Sequence, residues 1–206
     1  MTKEELKIRL KNACETVLEA EDELTEIDSK FGDADHGLTM KKIGNAILSA
    51  VEQSQGGIQE MLDDAAMEVM SLNGGSAVPL WNVWIDGLQE NAPEGEVINV
   101  EELKEIFAHA LDELNDISGA KVGDKTMMDA LIPASEAIAA YEGNDEKELF
   151  DLAAEAALKG AENSRNFVSK FGRAKSYGEQ TIGTPDAGAT SMAYFFKGLA
   201  ICQVEI

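Results

Sequence analysis

Basic residues, histidines, cysteines and strand-like runs are all scarce in this 206-residue sequence. Only 17 Lys and Arg stand against 39 Asp and Glu, giving a formal net charge of −22. A chain so acidic repels phosphate backbones and anionic bilayers, so nucleic-acid and membrane partners are not expected. An anionic ligand would bind only where cations, helix N-termini or a few placed basic residues reverse the local field. The two cysteines, Cys14 and Cys202, lie in helix-like apolar stretches with no CxxC or Cys/His spacing. That excludes a structural zinc site and reads as two buried free thiols in a reducing cytoplasm. His36 and His109 are the only histidines and no G-x-S-x-G occurs, which leaves nucleophilic catalysis little support. No apolar run approaches a membrane span, and "MTKEELKIRLKNAC" opens as an amphipathic helix rather than a signal peptide. A soluble cytoplasmic protein is expected.

What the sequence does have is helical periodicity. Apolar residues recur three and four apart over eight segments: Lys3–Leu24, Leu38–Gln55, Ile58–Leu72, Val78–Glu90, Val100–Asp116, Lys125–Tyr141, Asp145–Phe171 and Gly188–Val204. Only "EVINV", before Glu101, looks like a strand. Connections are short and rich in Gly, Pro, Asn and Asp, and neither a repeat nor a linker interrupts them. The expectation is one all-α domain over residues 1–206, an up-and-down barrel of antiparallel helices.

Many of the 18 glycines fall in four clusters: "FGDADHG", "NGGSAVP", "SGAKVGDKT" and "IGTPDAGATS". These follow the first, third, fifth and seventh helical segments, so an up-and-down topology brings all four to one pole. A single glycine-rich loop is more often a helix C-cap than a site. Four at one end, each running into a helix N-terminus, suit a phosphate-bearing ligand. Asp28, Asp33 and Asp35 add hard oxygen ligands at the same pole. Asp33 and Asp35 are read as alternating along an extended stretch and so facing one way. Acids beside phosphate-binding loops are compatible only with a cation between them, and magnesium takes that mixture of carboxylate, water and phosphate. The EF-hand spacing fails, since Gly37 and Gly44 stand where ligands five and twelve would fall from Asp33. A Walker A loop fails too, because Asp124 interrupts the Gly-Lys pair of "GAKVGDKT".

These residues carry a resemblance. "LTEIDSKFGDADHGLTM" is similar to the opening motif of the nucleotide-binding L subunit of bacterial dihydroxyacetone kinase. The same domain type forms the C-terminal half of single-chain dihydroxyacetone kinases. "NGGSAVPLW", "GAKVGDKTMMDAL", "GRAKSYGEQTIG" and "PDAGATS" resemble its other motifs in order, from Leu24 to the C-terminus. The resemblance implies a barrel of eight antiparallel helices with a nucleotide across one end, ADP or ATP as a bound cofactor, and two Mg2+. It implies that Asp28, Asp33 and Asp35 bind the metal ions and that His36, Gly37, Leu38 and Thr39 contact phosphate. Gly75, Ser76 and Ala77 would belong to the phosphate loop, and Ser118, Gly119 and Met127 would lie near the adenosine. Arg173 and the turn of Asp186, Ala187 and Gly188 would complete the site. The implied partners are a phosphohistidine protein of the phosphotransferase system, which recharges ADP, and a K subunit that holds the ketose. A transcription regulator is the partner in the alternative role of nucleotide-state sensor. Phosphoryl transfer of this kind needs positioning and charge stabilisation but no nucleophile from the chain.

Departures from the family pattern concern the phosphate loop, usually G-G-[AT]-S-G and here Gly74-Gly75-Ser76-Ala77-Val78. Val122 and Ala187 also stand where proline is usual. Losing one neutral hydrogen bond costs about 0.5–1.5 kcal/mol, which loosens a ligand by roughly tenfold without abolishing binding. A paralogue acting on another short-chain ketose is one alternative, and a helical scaffold with a degenerate site is another. Trp81 and Trp84, four positions inclusive on an apolar helix, read as core. Arg165 reads as a partner for local acids and His109 as a helix-surface residue.

Overall fold

A computed structural model describes residues 1–203. Nine α-helices run in order: α1 (Lys3–Glu19), α2 (Glu21–Ser29), α3 (His36–Gln53), α4 (Ile58–Met70), α5 (Ala77–Glu90), α6 (Val100–Ser118), α7 (Met128–Ala140), α8 (Glu146–Asn163) and α9 (Ala187–Leu199). Two 3₁₀ stretches, Ser164–Asn166 and Arg173–Thr181, fill the longest connection. Several helices start on side-chain caps that the sequence supplies. Thr2 with Glu5 and Asn99 with Glu102 form capping boxes, and Asp145 accepts from Lys147 and Glu148.

Each long helix packs on the next, α1 on α3, then α4, α5, α6, α7, α8 and α9, and α9 returns to α1. The ring is therefore closed. Its interior is one continuous apolar cluster. At the centre Trp81, Trp84, Phe107, Phe195 and Phe196 meet with ring centroids 5.2–6.2 Å apart. Burying each of these rings contributes on the order of 1.5–3 kcal/mol, and the edge-to-face contacts add to that. The closing seam is tight: a Cβ on Gly198 would stand 2.3 Å from Ala13 Cα, so only glycine lets α9 meet α1 there.

The expected helices are present, with four boundary corrections. The first segment breaks at Ala20 (φ −89, ψ 8), and its second part extends past Leu24 to Ser29. The sixth begins at Met128 rather than Lys125, because Lys125 sits at φ 62 and cannot belong to a right-handed helix. The seventh ends at Asn163, short of Phe171, where Ser164 turns its hydroxyl back onto the Ala161 carbonyl at 2.6 Å. The eighth is Ala187–Leu199, so Cys202 lies past its end and is exposed rather than buried, whereas Cys14 is buried; Val204 lies outside the described residues. "EVINV" makes only an isolated bridge, Val97 to Thr2, among the described residues. No described helix is long and apolar enough to cross a membrane.

Candidate functional site

Closure of the ring sends the loops before α3, α5, α7 and α9 to one pole, where they border a cavity of about 350 Å³. Asp28, Asp33, Asp35, His36, Thr39, Gly75, Ser76, Ala77, Met127, Arg173, Asp186, Ala187 and Gly188 all line it. Four anticipated residues do not reach the wall among the described contacts. Gly37 packs beneath it, where a Cβ would stand 2.1 Å from the Glu21 carbonyl oxygen. Leu38 is 50% exposed on the far side of the first turn. Ser118 and Gly119 form the left-handed C-cap of α6, with Gly119 at φ 62 and Ser118 Oγ accepting from Ala120.

The acidic wall is built differently from an extended strand. Ala34 lies at φ 60, and this left-handed residue reverses the chain between Asp33 and Asp35. The reversal, together with Asp28 from the last turn of α2, brings oxygens of Asp28, Asp33 and Asp35 within 4.8 Å of one another. Asp28 Oδ2 accepts the amides of Asp35 (3.1 Å) and His36 (3.4 Å), which fixes the loop to the helix. Gly32 leaves room for this carboxylate, since a Cβ there would stand 2.0 Å from Asp28 Oδ1. Burial, followed by the charges of Asp33 and Asp28, raises the Asp35 carboxyl above its ordinary range. Arg173 supplies partial compensation through an ion pair with Asp33 at 2.7 Å. Three hard oxygen donors crowded enough to repel one another fit a magnesium-type cation. Among the described residues the other gathering of potential ligands, Glu90, His109 and Glu113, lies outside this cavity, and His109 pairs with Glu90 at 2.6 Å.

The opposite wall consists of helix starts. Ser76 caps α5 without a side-chain hydrogen bond, and Pro79 has no N–H, so the amides around Gly75–Ala77 meet no side-chain acceptor at the cap. Val78 is buried and covers Gly74, whose added Cβ would stand 2.6 Å from its Cγ2. The valine thus closes space that a glycine at 78 would leave open. Asp186 caps α9 by accepting the Ala189 amide at 2.8 Å. Loss of hydration in its pocket, with Asp129 nearby, pushes the Asp186 carboxyl up to about 7. His36 Nε2 lies 3.0 Å from Ser191 Oγ, so it ties α3 to α9. Burial lowers its pKa and favours the neutral ring.

The DAK2 domain model matches residues 30–201 of the 206-residue chain. The chain belongs to the DAK2-domain family. The ADP-binding subunit DhaL of the PEP-dependent dihydroxyacetone kinase of Escherichia coli (strain K12) is 30% identical over 200 residues, covering 93% of each chain. The D-erythrulose kinase of Mycolicibacterium smegmatis is 33% identical over 198 residues, which are 91% of this DAK2 chain and 33% of that kinase. A crystal structure of the C. freundii dihydroxyacetone kinase in complex with AMP-PNP and Mg2+ is similar at a TM-score of 0.70 and 25% identity, over 95% of this chain and 33% of that one. The DAK2 chain therefore spans about a third of the length of the erythrulose kinase and of the solved kinase. The all-α barrel is the architecture that this likeness supports.

Reading the motifs did not single out several residues that line the DAK2 cavity: Gly32, Leu80, Lys125, Thr126, Ser169, Phe171, Gly172 and Ala174. Trp81 also borders the cavity, although it is 1% exposed and packed as core. Arg165 pairs with Glu162 at 2.8 Å, as read from the sequence, and also donates to the Gly183 carbonyl at 3.1 Å. The signal for Lys125 was its place inside "GDKT", beside a glycine-rich turn.

Proposed function

We propose that residues 1–206 form a single nucleotide-binding domain, the phosphoryl-transfer subunit of a dihydroxyacetone-type ketose kinase. The observation carrying this reading is the single cavity lined both by an acidic triad and by the starts of helices α3, α5 and α9. In this reading the domain retains ADP or ATP with two Mg2+ held by Asp28, Asp33 and Asp35. Bound there, magnesium neutralises phosphate charge against the carboxylates. The amides at the starts of α3 and α5, with Arg173, orient the phosphates. Met127 and the α9 turn flank the nucleotide, and Trp81 and Leu80 close its floor. No side chain of this domain is assigned as nucleophile, because in-line transfer between phosphate oxygens and an acceptor hydroxyl needs alignment and charge stabilisation.

The donor in this proposal is a phosphohistidine protein of a phosphoenolpyruvate phosphotransferase system. The acceptor is a short ketose held by a separate K subunit. Likeness to a PEP-dependent ADP-binding subunit over 93% of both chains supports the subunit arrangement. The 33% identity to a D-erythrulose kinase supports a four-carbon ketose as an alternative to dihydroxyacetone. A nucleotide-state sensor acting on a transcription regulator would use the same cavity but transfer nothing to a ketose.

The test begins with purified protein: ADP is assayed in the supernatant after denaturation, and Mg-ADP binding is titrated on nucleotide-free material. Retained or rebound ADP is expected in the wild type, with a sharp loss in Asp33→Asn. Absence of binding in both proteins would sink the proposal, and equal binding would remove the triad from it. Reconstitution with K subunits and three- and four-carbon ketoses then separates transfer from sensing.

A further inference from the structure

Lys125 is a lysine that the proposed chemistry does not use. It is 4% exposed and sits in the left-handed region at φ 62, a conformation that disfavours any residue with a Cβ. Surroundings must over-determine such a residue for it to persist, and here they do. Its ammonium donates to the Ser164 carbonyl at 2.6 Å and to the Thr184 carbonyl at 2.5 Å. Ser164 in turn accepts the Asp186 amide on its hydroxyl at 2.8 Å. The backbone on either side of Lys125 is held by Asp129, which is 0% exposed and accepts the Gly123 amide at 2.6 Å and the Thr126 amide at 2.7 Å.

From these contacts we infer that Lys125 and Asp129 are positioning residues, a buried strut that sets the distance between the loop entering α7 and the turn entering α9. Both joined segments reach the cavity wall, through Thr126 and Met127 on one side and Asp186 to Gly188 on the other. Their spacing is close: an added Cβ on Gly188 would lie 3.3 Å from the Met127 amide nitrogen. The ammonium faces Asp186, Asp129 and Arg165, so it also separates the buried Asp129 carboxylate from the partly buried Asp186. The ammonium therefore acts on backbone geometry and touches carbonyls rather than a reacting group. This assignment of the strut stands on the contacts alone, and its consequence for ligand affinity rests on the proposed nucleotide site.

Native-state hydrogen exchange on the wild-type chain tests the strut without any nucleotide. The amides of Gly123, Thr126, Gly183 and Asp186 are expected to open as one unit with a common free energy. In Lys125→Met, which keeps length and removes the donors, Gly183 and Asp186 are expected to open separately and faster than Gly123. Opening at unrelated free energies in the wild type, or unchanged opening in Lys125→Met, overturns the inference. On folded protein, judged by circular dichroism, the Mg-ADP dissociation constant is expected to rise roughly 10- to 100-fold in Lys125→Met. Lys125→Arg, which keeps charge and donors, is expected to recover part of it. Lys125→Gly, which relieves the backbone strain but lacks the ammonium, is expected to bind as weakly as Lys125→Met. Wild-type affinity in Lys125→Gly would overturn the role of the ammonium. Failure of the wild type to bind Mg-ADP would overturn the nucleotide site, while the exchange data still decide the strut.

Discussion

Asp186 makes folding stability depend on pH in a direction opposite to that of most surface carboxylates. Its carboxyl is raised from the ordinary 3.8 to about 7, chiefly by loss of hydration and then by the charge of Asp129. The folded chain thus holds a proton that the unfolded chain releases between those two values. Stability therefore falls as pH rises through that window and levels off above about 7. A shift of about three units corresponds to roughly 4 kcal/mol in full, of which about 2–3 kcal/mol develops between pH 5 and pH 8. Asp186→Asn isolates this contribution, because asparagine caps a helix as well as aspartate and can accept from the Ala189 amide without titrating. Asp129 is raised by burial as well and remains in both proteins, so the difference between them belongs mainly to position 186. Urea unfolding of wild type and Asp186→Asn at pH 5, 6, 7 and 8 measures it. The variant is expected to gain about 2–3 kcal/mol relative to wild type across that range, or on the order of 5–10 °C in Tm. A difference between the two proteins that stays flat with pH would refute the reasoning.

Two further predictions concern glycines whose neighbours are named above. In Gly32→Ala the new Cβ collides with Asp28 Oδ1, so the carboxylate must swing out of the triad. Isothermal titration should then give Mg-ADP binding weakened by about tenfold or more with Tm within a few degrees of wild type, and undiminished binding would contradict the placement of Asp28. In Gly198→Ala the Cβ meets the backbone of α1 at Ala13, so the seam must open. Overpacking of this kind costs typically 1–3 kcal/mol, read as a lower urea midpoint, and a midpoint equal to that of wild type would mean that the seam yields freely.

Much of the fold was legible because helical periodicity and glycine-rich connections point to the same topology. Odd-to-even loops must meet at one end of an up-and-down ring, and the four glycine clusters do. What escaped the sequence has a common physical origin: single residues whose backbone angles are set by tertiary contacts. Ala34 and Lys125 adopt positive φ with no glycine to announce it. The Asp33–Asp35 stretch therefore read as extended when it is a reversal, although the predicted convergence of its carboxylates holds. Ala20 interrupts a helix with the residue type that most favours one. Residues 164–171 carry apolar spacing suited to a helix, yet the Ser164 hydroxyl ends α8 locally. The triad was legible because its members are close in sequence. The strut was not, because Lys125 meets Ser164 and Thr184 only through the fold.

The closed ring also decides where other polypeptide can be tied to this domain. Lys3 donates its amide to Glu96 in the connection before α6, and Arg9 and Asn12 donate to the carbonyls of Leu199 and Ile201. Lys3 begins α1 and Leu199 ends α9, each at the end of its helix away from the cavity. A tether joined near either one would leave the mouth free to approach a second protein. The same barrel can then serve as a separate piece or as one bead on a longer string, with no rethreading of its helices.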